Sequence, residues 1–538
     1  MKIKVKIYKD PGADPVEREV PAGTTIEELL NEYRSHMPYR IITARVDGDD
    51  VALSSKLKKD CELIYCDIRD NTANRSFQRG LTLLYLKAVS DVYGKKAHPR
   101  IRNSVNRGIF STLTPQKKPK GAGSSVFETQ LIEKRMWELA DANLPFKPVA
   151  AKGKDNERYT LDGYAAPFLG LMPPSTGYIY SFALEQMRGG VLIRFPHPSD
   201  PGKLAFYRRD ARIFDAYDEE QDFLDTLNLE YIRDLNNRVE NGGAAEIIRI
   251  AELRQSERIE AISERIIKEG KRVILIAGPS SSGKTTFSKR LIETIRSKTA
   301  STPEPLYIGT DDYFVNREFA PRDKKGTYNF EGLDAMDIAL FEKNIEELLE
   351  GKTADMPRYD FITGEKHFSE RKTKLKKNQI IVVEGIHALN KKMSAGIEDD
   401  VKFKIYISPL TQLNIDEFNR VPSTDVRLIR RMVRDNRTRG NSVETTIKLW
   451  PKVVAGESVN IFPYNNEADE IFNSTLIYEL PVLKKYAVPL LNKVKPGSAA
   501  YGHAKWLLHF LSLFTPIKDE TPIPAESILR EFIGGSSF

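Results

Sequence analysis

The chain opens on a strict alternation. Met1, Ile3, Val5 and Ile7 are apolar, and Lys2, Lys4 and Lys6 lie between them, which predicts a strand with one buried face. A turn at Gly12 and a second strand ending near Val20 follow. Thr24-Thr25-Ile26-Glu27-Glu28-Leu29-Leu30 reads as a capped helix start, with a threonine at the N-cap and acids in the first turn. Short strands ending at Leu63–Cys66 complete a β-β-α-β unit over residues 1–68. Residues 69–245 read as an α+β domain. It has a helix opening around Arg75–Leu81 and a loop at Ala97-His98-Pro99-Arg100. A basic loop at Pro115–Ser125, a turn at Pro173–Tyr178, strands ending in Val191–Phe195 and a charged helical stretch over Glu219–Arg254 follow. In the third unit, 246–538, strand and helix patterns alternate, as a parallel α/β sheet requires. The predicted strands are Val273–Ala277, Leu306–Ile308, Ile380–Val383 and Lys402–Ile407. The predicted helices are Thr285–Lys298, Asp334–Glu350 and Val426–Arg439.

Composition narrows this little. With 40% hydrophobic and 29% charged residues, the 538-residue chain is of ordinary soluble type. No run approaches the ~18 apolar residues of a membrane span, and Trp506–Phe514 reads as a core helix. The opening alternation is unlike a signal peptide, so the expected location is the cytoplasm. Cys61 and Cys66 should face opposite sides of one strand, which argues against a disulfide or a metal pair. The net charge of +7 permits phosphate or nucleic-acid partners without requiring them.

Residues 278–285 read Gly-Pro-Ser-Ser-Ser-Gly-Lys-Thr, a complete G-x-x-x-x-G-K-[ST] loop between a predicted strand and a predicted helix. Main-chain amides of such a loop wrap phosphates at a helix N-terminus. Gly278, Pro279, Ser280, Ser281, Ser282, Gly283, Lys284, Thr285 and the adjoining Thr286 are therefore the expected contacts to ATP or another NTP. Lys284 would reach the β- and γ-phosphates, and Thr285 would ligate Mg²⁺. In sheets of this kind ligands gather at the carboxyl ends of the strands. Thr310-Asp311-Asp312-Tyr313-Phe314 follows the second strand. Phosphoryl transfer to an alcohol needs a group that orients the hydroxyl and accepts its proton, and Asp312 is the candidate, with Asp311 second. Glu384 ends the third strand, where a carboxylate would hold Mg²⁺ through water. His387 beyond it reads as a packing residue. Arg427, Arg430, Arg431 and Arg434 recur at helical spacing, with Arg437 and Arg439 beyond. Guanidiniums crowded on one face repel unless an anion lies among them, so the segment reads as a mobile lid over a transferring phosphoryl group, or else as an RNA-binding helix.

These residues resemble a family. The loop 278–285, the segment Thr310–Phe314, Tyr328–Ala335, Met356–Phe361, Val383-Glu384-Gly385-Ile386 and the arginine helix occur in the order seen in uridine kinases, a group that includes phosphoribulokinases. The resemblance spans roughly 272–480. It implies a P-loop NTPase sheet and ATP-dependent phosphorylation of a nucleoside 5′-hydroxyl. It assigns Asp312 as general base, Lys284 and Thr285 to phosphates and metal, and Glu384 to the metal. Phe330 and Tyr359 match aromatic contacts to the nucleoside, and Arg431, Arg434 and Arg439 match arginines near the phosphates and substrate. Three departures bear on the acceptor. Glu331 stands where the family usually has an aspartate gripping ribose hydroxyls, Gly364 where a histidine reads the base, and Leu449 where a glutamine is expected. Losing two polar readers should alter base choice.

Residues 1–68 resemble the TGS domain, a ubiquitin-like β-grasp unit of threonyl-tRNA synthetases, and 69–245 resemble the second domain of those enzymes. Arg75 and Arg79 take the places of that domain's His-x-x-x-His pair, and residues 69–245 contain no cysteine for its metal site. A guanidinium neither ligates metal nor moves protons at neutral pH, so the synthetase-type editing chemistry is expected to be lost. The two arginines could still clamp a phosphate or an acidic partner. The readings left open are a nucleoside kinase, a phosphoribulokinase-like sugar kinase, and an NTP-switched factor that contacts RNA through residues 1–245. Oligomerisation stays open.

Overall fold

The structure, a computed structural model, describes residues 1–8, 14–94, 97–105, 108–115, 128–149, 158–187, 189–204, 211–299, 303–322, 326 and 328–538. The expected turn at Gly12 and nearly all of the basic loop 115–125 lie outside them. The opening strand runs Lys2–Tyr8 and buries Ile3, Val5 and Ile7. It pairs antiparallel with Val16–Pro21 and parallel with Cys61–Asp67 in a five-stranded sheet. The helix Ile26–Asn31 starts at Thr25. The Thr25 hydroxyl accepts the Glu28 amide, while the Glu28 carboxylate accepts the Thr25 amide, a reciprocal cap.

A 23-residue helix, Asn71–Tyr93, follows and is capped by Asp70. Its buried side, from Ala73 to Val89, joins one continuous apolar core with Ile3, Leu29 and Ile42 before it and Phe168 and Ile193 after it. The described residues from Ile3 to Phe195 therefore share one core. The expected loop at Ala97–Arg100 is instead the start of a strand, Ala97–Val105, which pairs with Gly108–Pro115 at the edge of a four-stranded antiparallel sheet. Pro99 disguises it in the sequence, but an edge strand tolerates a proline. The charged stretch 219–254 is spread over three helices, Ala211–Thr226, Ile232–Glu240 and Ala244–Lys268. The breaks fall at Asn228 and Gly242, both at positive φ. Leu224, Ile232 and Leu235 already belong to the core of the following α/β unit, so the packing changes well before residue 245.

That unit is built on five parallel strands. They are β1 (Val273–Ala277), β2 (Leu306–Gly309), β5 (Ile381–Glu384), β6 (Lys402–Ser408) and β7 (Glu470–Asn473), in the order β2-β5-β1-β6-β7. Every residue of β1 is buried, as a central strand covered on both faces requires. An antiparallel hairpin, β3 (Thr353–Asp360) and β4 (Glu365–Lys374), comes between β2 and β5 in chain order and forms a separate two-stranded sheet. Four helices matter for the site: α1 (Lys284–Lys298), α2 (Ile338–Leu349), α3 (Ser423–Thr438) and α4 (Val443–Asn460). Helix α2 begins at an Asp337 cap, not at Asp334, which lies in a short 3₁₀ turn. Among the described residues no helix is long and apolar enough to cross a membrane.

Candidate active site

The loop 278–283 joins β1 to α1 in a conformation that few sequences accept. Ser281 and Gly283 both take positive φ, 60° and 89°. A Cβ on Gly278 would lie 2.1 Å from the Ile407 carbonyl oxygen, so nothing larger fits against β6. The hydroxyls of Ser281 and Ser282 are buried without a hydrogen-bond partner. A buried donor left unpaired is costly, and an oxyanion cradled by the loop would satisfy it. The Lys284 ammonium folds back toward the Pro279 carbonyl at 3.4 Å. Thr286 lies buried in the first turn of α1, its hydroxyl donating to Glu531 at 2.9 Å.

The carboxylates cluster opposite the loop. Glu384, at the end of β5, accepts from the Thr285 hydroxyl at 3.3 Å and from the Tyr307 hydroxyl at 3.0 Å. Burial, with Asp311 close by, pushes its carboxyl above the usual range despite Lys284. A carboxylate short of countercharge beside a threonine hydroxyl is a donor pair suited to Mg²⁺, which needs few protein oxygens and keeps its waters. Among the described residues no group of three or more His, Cys, Asp or Glu could hold a metal alone. Asp311 reaches solvent at the cleft mouth, yet the protein around it and neighbouring Asp312 raise its carboxyl, against Lys284 and Arg439. Asp312, half-buried, accepts the Tyr359 amide of the hairpin at 3.3 Å. The two neighbouring aspartates thus face different surroundings, Asp311 toward the charges of the loop and Asp312 toward β3.

Next to them is an aromatic nest that sequence reading half found. Phe314 is its hub, with ring centroids 5.5 Å from Phe330 and 5.6 Å from Tyr359. Tyr359 is 5% exposed, so Phe330 and the exposed Phe361 are the rings left to meet a flat ligand. Glu331 follows Phe330. Burial raises its carboxyl, Glu457 adds to this, and Arg431 opposes it. It packs closely on helix α4, where a Cβ on Gly456 would come 2.8 Å from the Glu331 Cβ. Gly364 turns the hairpin against Arg317, whose Nε a Cβ there would meet at 2.6 Å. Leu449 is 49% exposed on α4.

The arginine helix corrects the expectation of a mobile lid. Helix α3 buries Val426, Leu428, Ile429, Met432 and Val433, and two of its arginines lie in the interior. The Arg427 guanidinium donates to both oxygens of Glu457, at 2.6 and 2.8 Å, and to the Ser280 carbonyl. Arg430, fully buried, donates to Glu479 at 2.6 Å and to the Ser281 carbonyl at 3.4 Å. Mutual repulsion is thus relieved by buried carboxylates within the protein. Glu457 in addition accepts the Ser280 amide at 2.8 Å, so α3 and α4 grip the loop from beneath. Arg431 reaches the loop on its own face, donating to the Ser280 hydroxyl at 2.9 Å. Arg434 and the exposed Arg439 flank Asp435. Sequence reading missed Glu457 and Glu479. A glutamate two residues past the apolar run Val453–Ala455 is the only trace of the first.

The synthetase-like pair is also spoken for. Arg75 pairs with Asp425, a fully buried carboxylate in the first turn of α3, and both Arg75 and Arg79 stack over the Trp506 ring at 5.1 and 5.2 Å. The acid that Arg75 clamps is therefore internal. His197 bonds locally to Ser199, and His387 is buried with no partner on either ring nitrogen, which lowers its pKa to about 4.

Residues 273–478 match the Phosphoribulokinase / Uridine kinase family. Uridine kinases of Macrococcus caseolyticus and Staphylococcus aureus are each 28% identical to this chain over 182 residues, 34% of it and 77% of their own length. A solved structure described as a possible uridine kinase from Bacillus stearothermophilus is 21% identical and covers 41% of this chain and 99% of its own, at a TM-score of 0.27. The C-terminal region thus carries a domain of that family on a parallel P-loop sheet, and the match points to a phosphotransferase.

Proposed function

We propose that the protein transfers a phosphoryl group from ATP to the 5′-hydroxyl of a nucleoside. The observation that supports this most is the meeting of four parts at one end of the sheet: the loop 278–285, Asp311, Glu384, and the aromatic nest of Phe314, Phe330 and Tyr359. The loop amides, Ser281, Ser282 and Lys284 hold the phosphates. Thr285 and Glu384 are the residues to hold Mg²⁺, which when bound neutralises phosphate charge. Arg431, Arg434 and Arg439 face the transferring group. Phe330 and Glu331 hold the acceptor, and Tyr359 stiffens the wall behind it. Asp311 is the better general base of the adjacent pair. It shares the field of Lys284 and Arg439, whereas Asp312 is occupied by the hairpin amide. The same reading keeps residues 1–68 and 69–245 as TGS-like and synthetase-like units without editing chemistry.

The test is a pair of variants. Asp311→Asn should lower kcat by about 10²–10⁴, the range for loss of a general base, and leave ATP affinity in place. Near-normal turnover would refute the assignment, and a selective loss in Asp312→Asn would return the role to that residue. A sugar acceptor is the second reading. It is favoured by Gly364, closed off by Arg317, and by the apolar, half-exposed Leu449, since neither can read a base. ATP-dependent phosphorylation of a panel of nucleosides and sugars separates the two.

A further inference from the structure

If the loop 278–285 holds the phosphates, the nucleoside end of the donor has to leave along a face of α1. A cavity of about 270 Å³ opens there, against Thr285, Thr286 and Lys289. Its other wall includes Arg437 of α3 and, from a segment beyond the family match at 273–478, Arg530, Glu531, Ser536 and Phe538. That segment is pressed onto the loop. A Cβ on Gly283 would meet Ile528 Cγ2 at 2.5 Å. Glu531 accepts the Thr286 hydroxyl and lies 3.7 Å from Arg434. Arg437 donates to the Glu531 carbonyl at 2.9 Å and the Phe532 carbonyl at 3.3 Å, while Phe532 and Ile533 are buried in the core.

The lining chemistry suits a nucleoside. Phe538 is a half-buried ring with the Lys289 ammonium 5.9 Å from its centroid, which gives a flat face for a base. Arg530 donates through one terminal nitrogen to the Glu520 and Ile523 carbonyls, and its Nε stays buried without a partner. Glu531 and Ser536 add acceptors beside it. We propose that segment 527–538 builds the subsite for the base and ribose of the donor nucleotide, with Phe538 as the stacking surface. This rests on the proposed use of ATP and adds which residues read its nucleoside end.

The full-length protein is titrated by calorimetry, with Mg²⁺ present, against a non-hydrolysable ATP analogue and separately against inorganic tripolyphosphate. Losing a stacking ring weakens base binding about tenfold or more. Phe538→Ala and removal of residues 534–538 should therefore raise the Kd for the analogue by about that factor and leave tripolyphosphate binding unchanged. Phe538→Tyr should keep the analogue affinity. Equal weakening of both ligands would overturn the inference, because the segment would then act only through the loop, and so would unchanged affinity for both. Failure of the unaltered protein to bind either ligand would sink the use of ATP itself, and this inference with it.

Discussion

Replacing Arg75 with methionine should loosen the seam between the N-terminal body and helix α3. Asp425 is fully buried, and Arg75 is the guanidinium ion-paired with it. Burial pushes the Asp425 carboxyl up, but Arg75 and His503 more than reverse this and hold it well below the usual carboxylate range. Removing one partner of a buried pair costs about 3–5 kcal/mol, because the other charge is left stranded. Here Asp425 keeps the Trp506 indole N–H at 2.8 Å and His503 at 3.7 Å, so a value near the lower end, about 3 kcal/mol, is expected. The assay is urea unfolding followed by tryptophan fluorescence, since Trp506 lies under both arginines. Asp425→Asn and the double variant complete a mutant cycle. The double variant should cost less than the sum of the singles by about 1 kcal/mol or more, within the range for residues in contact. A loss under about 1 kcal/mol in Arg75→Met, or strict additivity in the cycle, would refute the pairing as a fastening.

His387 should make the fold acid-sensitive. Its buried ring holds a pKa of about 4 against 6.5 when free, so the unfolded chain binds the extra proton and stability falls as pH drops from about 6.5 toward 4. His387→Met should flatten that part of the stability–pH curve in denaturant titrations at pH 5 and 7.5; an unchanged slope would contradict the burial argument. Glu457→Gln should cost a few kcal/mol and also raise the KM for ATP, because it strands Arg427 and weakens the grip on the Ser280 amide, so a stable variant with normal KM would count against that role. Asp311 carries a carboxyl pushed above its ordinary range, and turnover should therefore rise with pH through an acidic limb above that range; Asp311→Asn should abolish the limb.

What the sequence conveyed was local. The alternation Lys2–Ile7, the Thr25 cap and the strand Val273–Ala277 are each decided by neighbours a few residues away, and the structure repeats them within a residue. The strand–loop–helix frame of residues 273–298 follows for the same reason. What it hid was long-range. Arg427 meets Glu457 thirty residues on, Arg430 meets Glu479 forty-nine on, and Arg75 meets Asp425 across 350. Without those partners, a row of arginines reads as charge waiting for an external anion. Helix α3 did show its apolar positions, Val426, Ile429 and Val433, at helical spacing, and that pattern is the surviving sign that it is packed. The aspartate pair illustrates a finer limit, since what distinguishes Asp312 from Asp311 is a hairpin amide on one and the charges of Lys284 and Arg439 around the other, all distant in sequence.

The fit of Gly456 under Glu331 ties two distant positions into one inheritance. A helix-interior glycine carries a penalty of roughly 1 kcal/mol against alanine, and drift would tend to erase it unless the neighbouring chain at 331 needs the space. Among descendants of this sequence position 456 should stay bare whichever acid stands at 331, because the clash falls on a Cβ that aspartate and glutamate share.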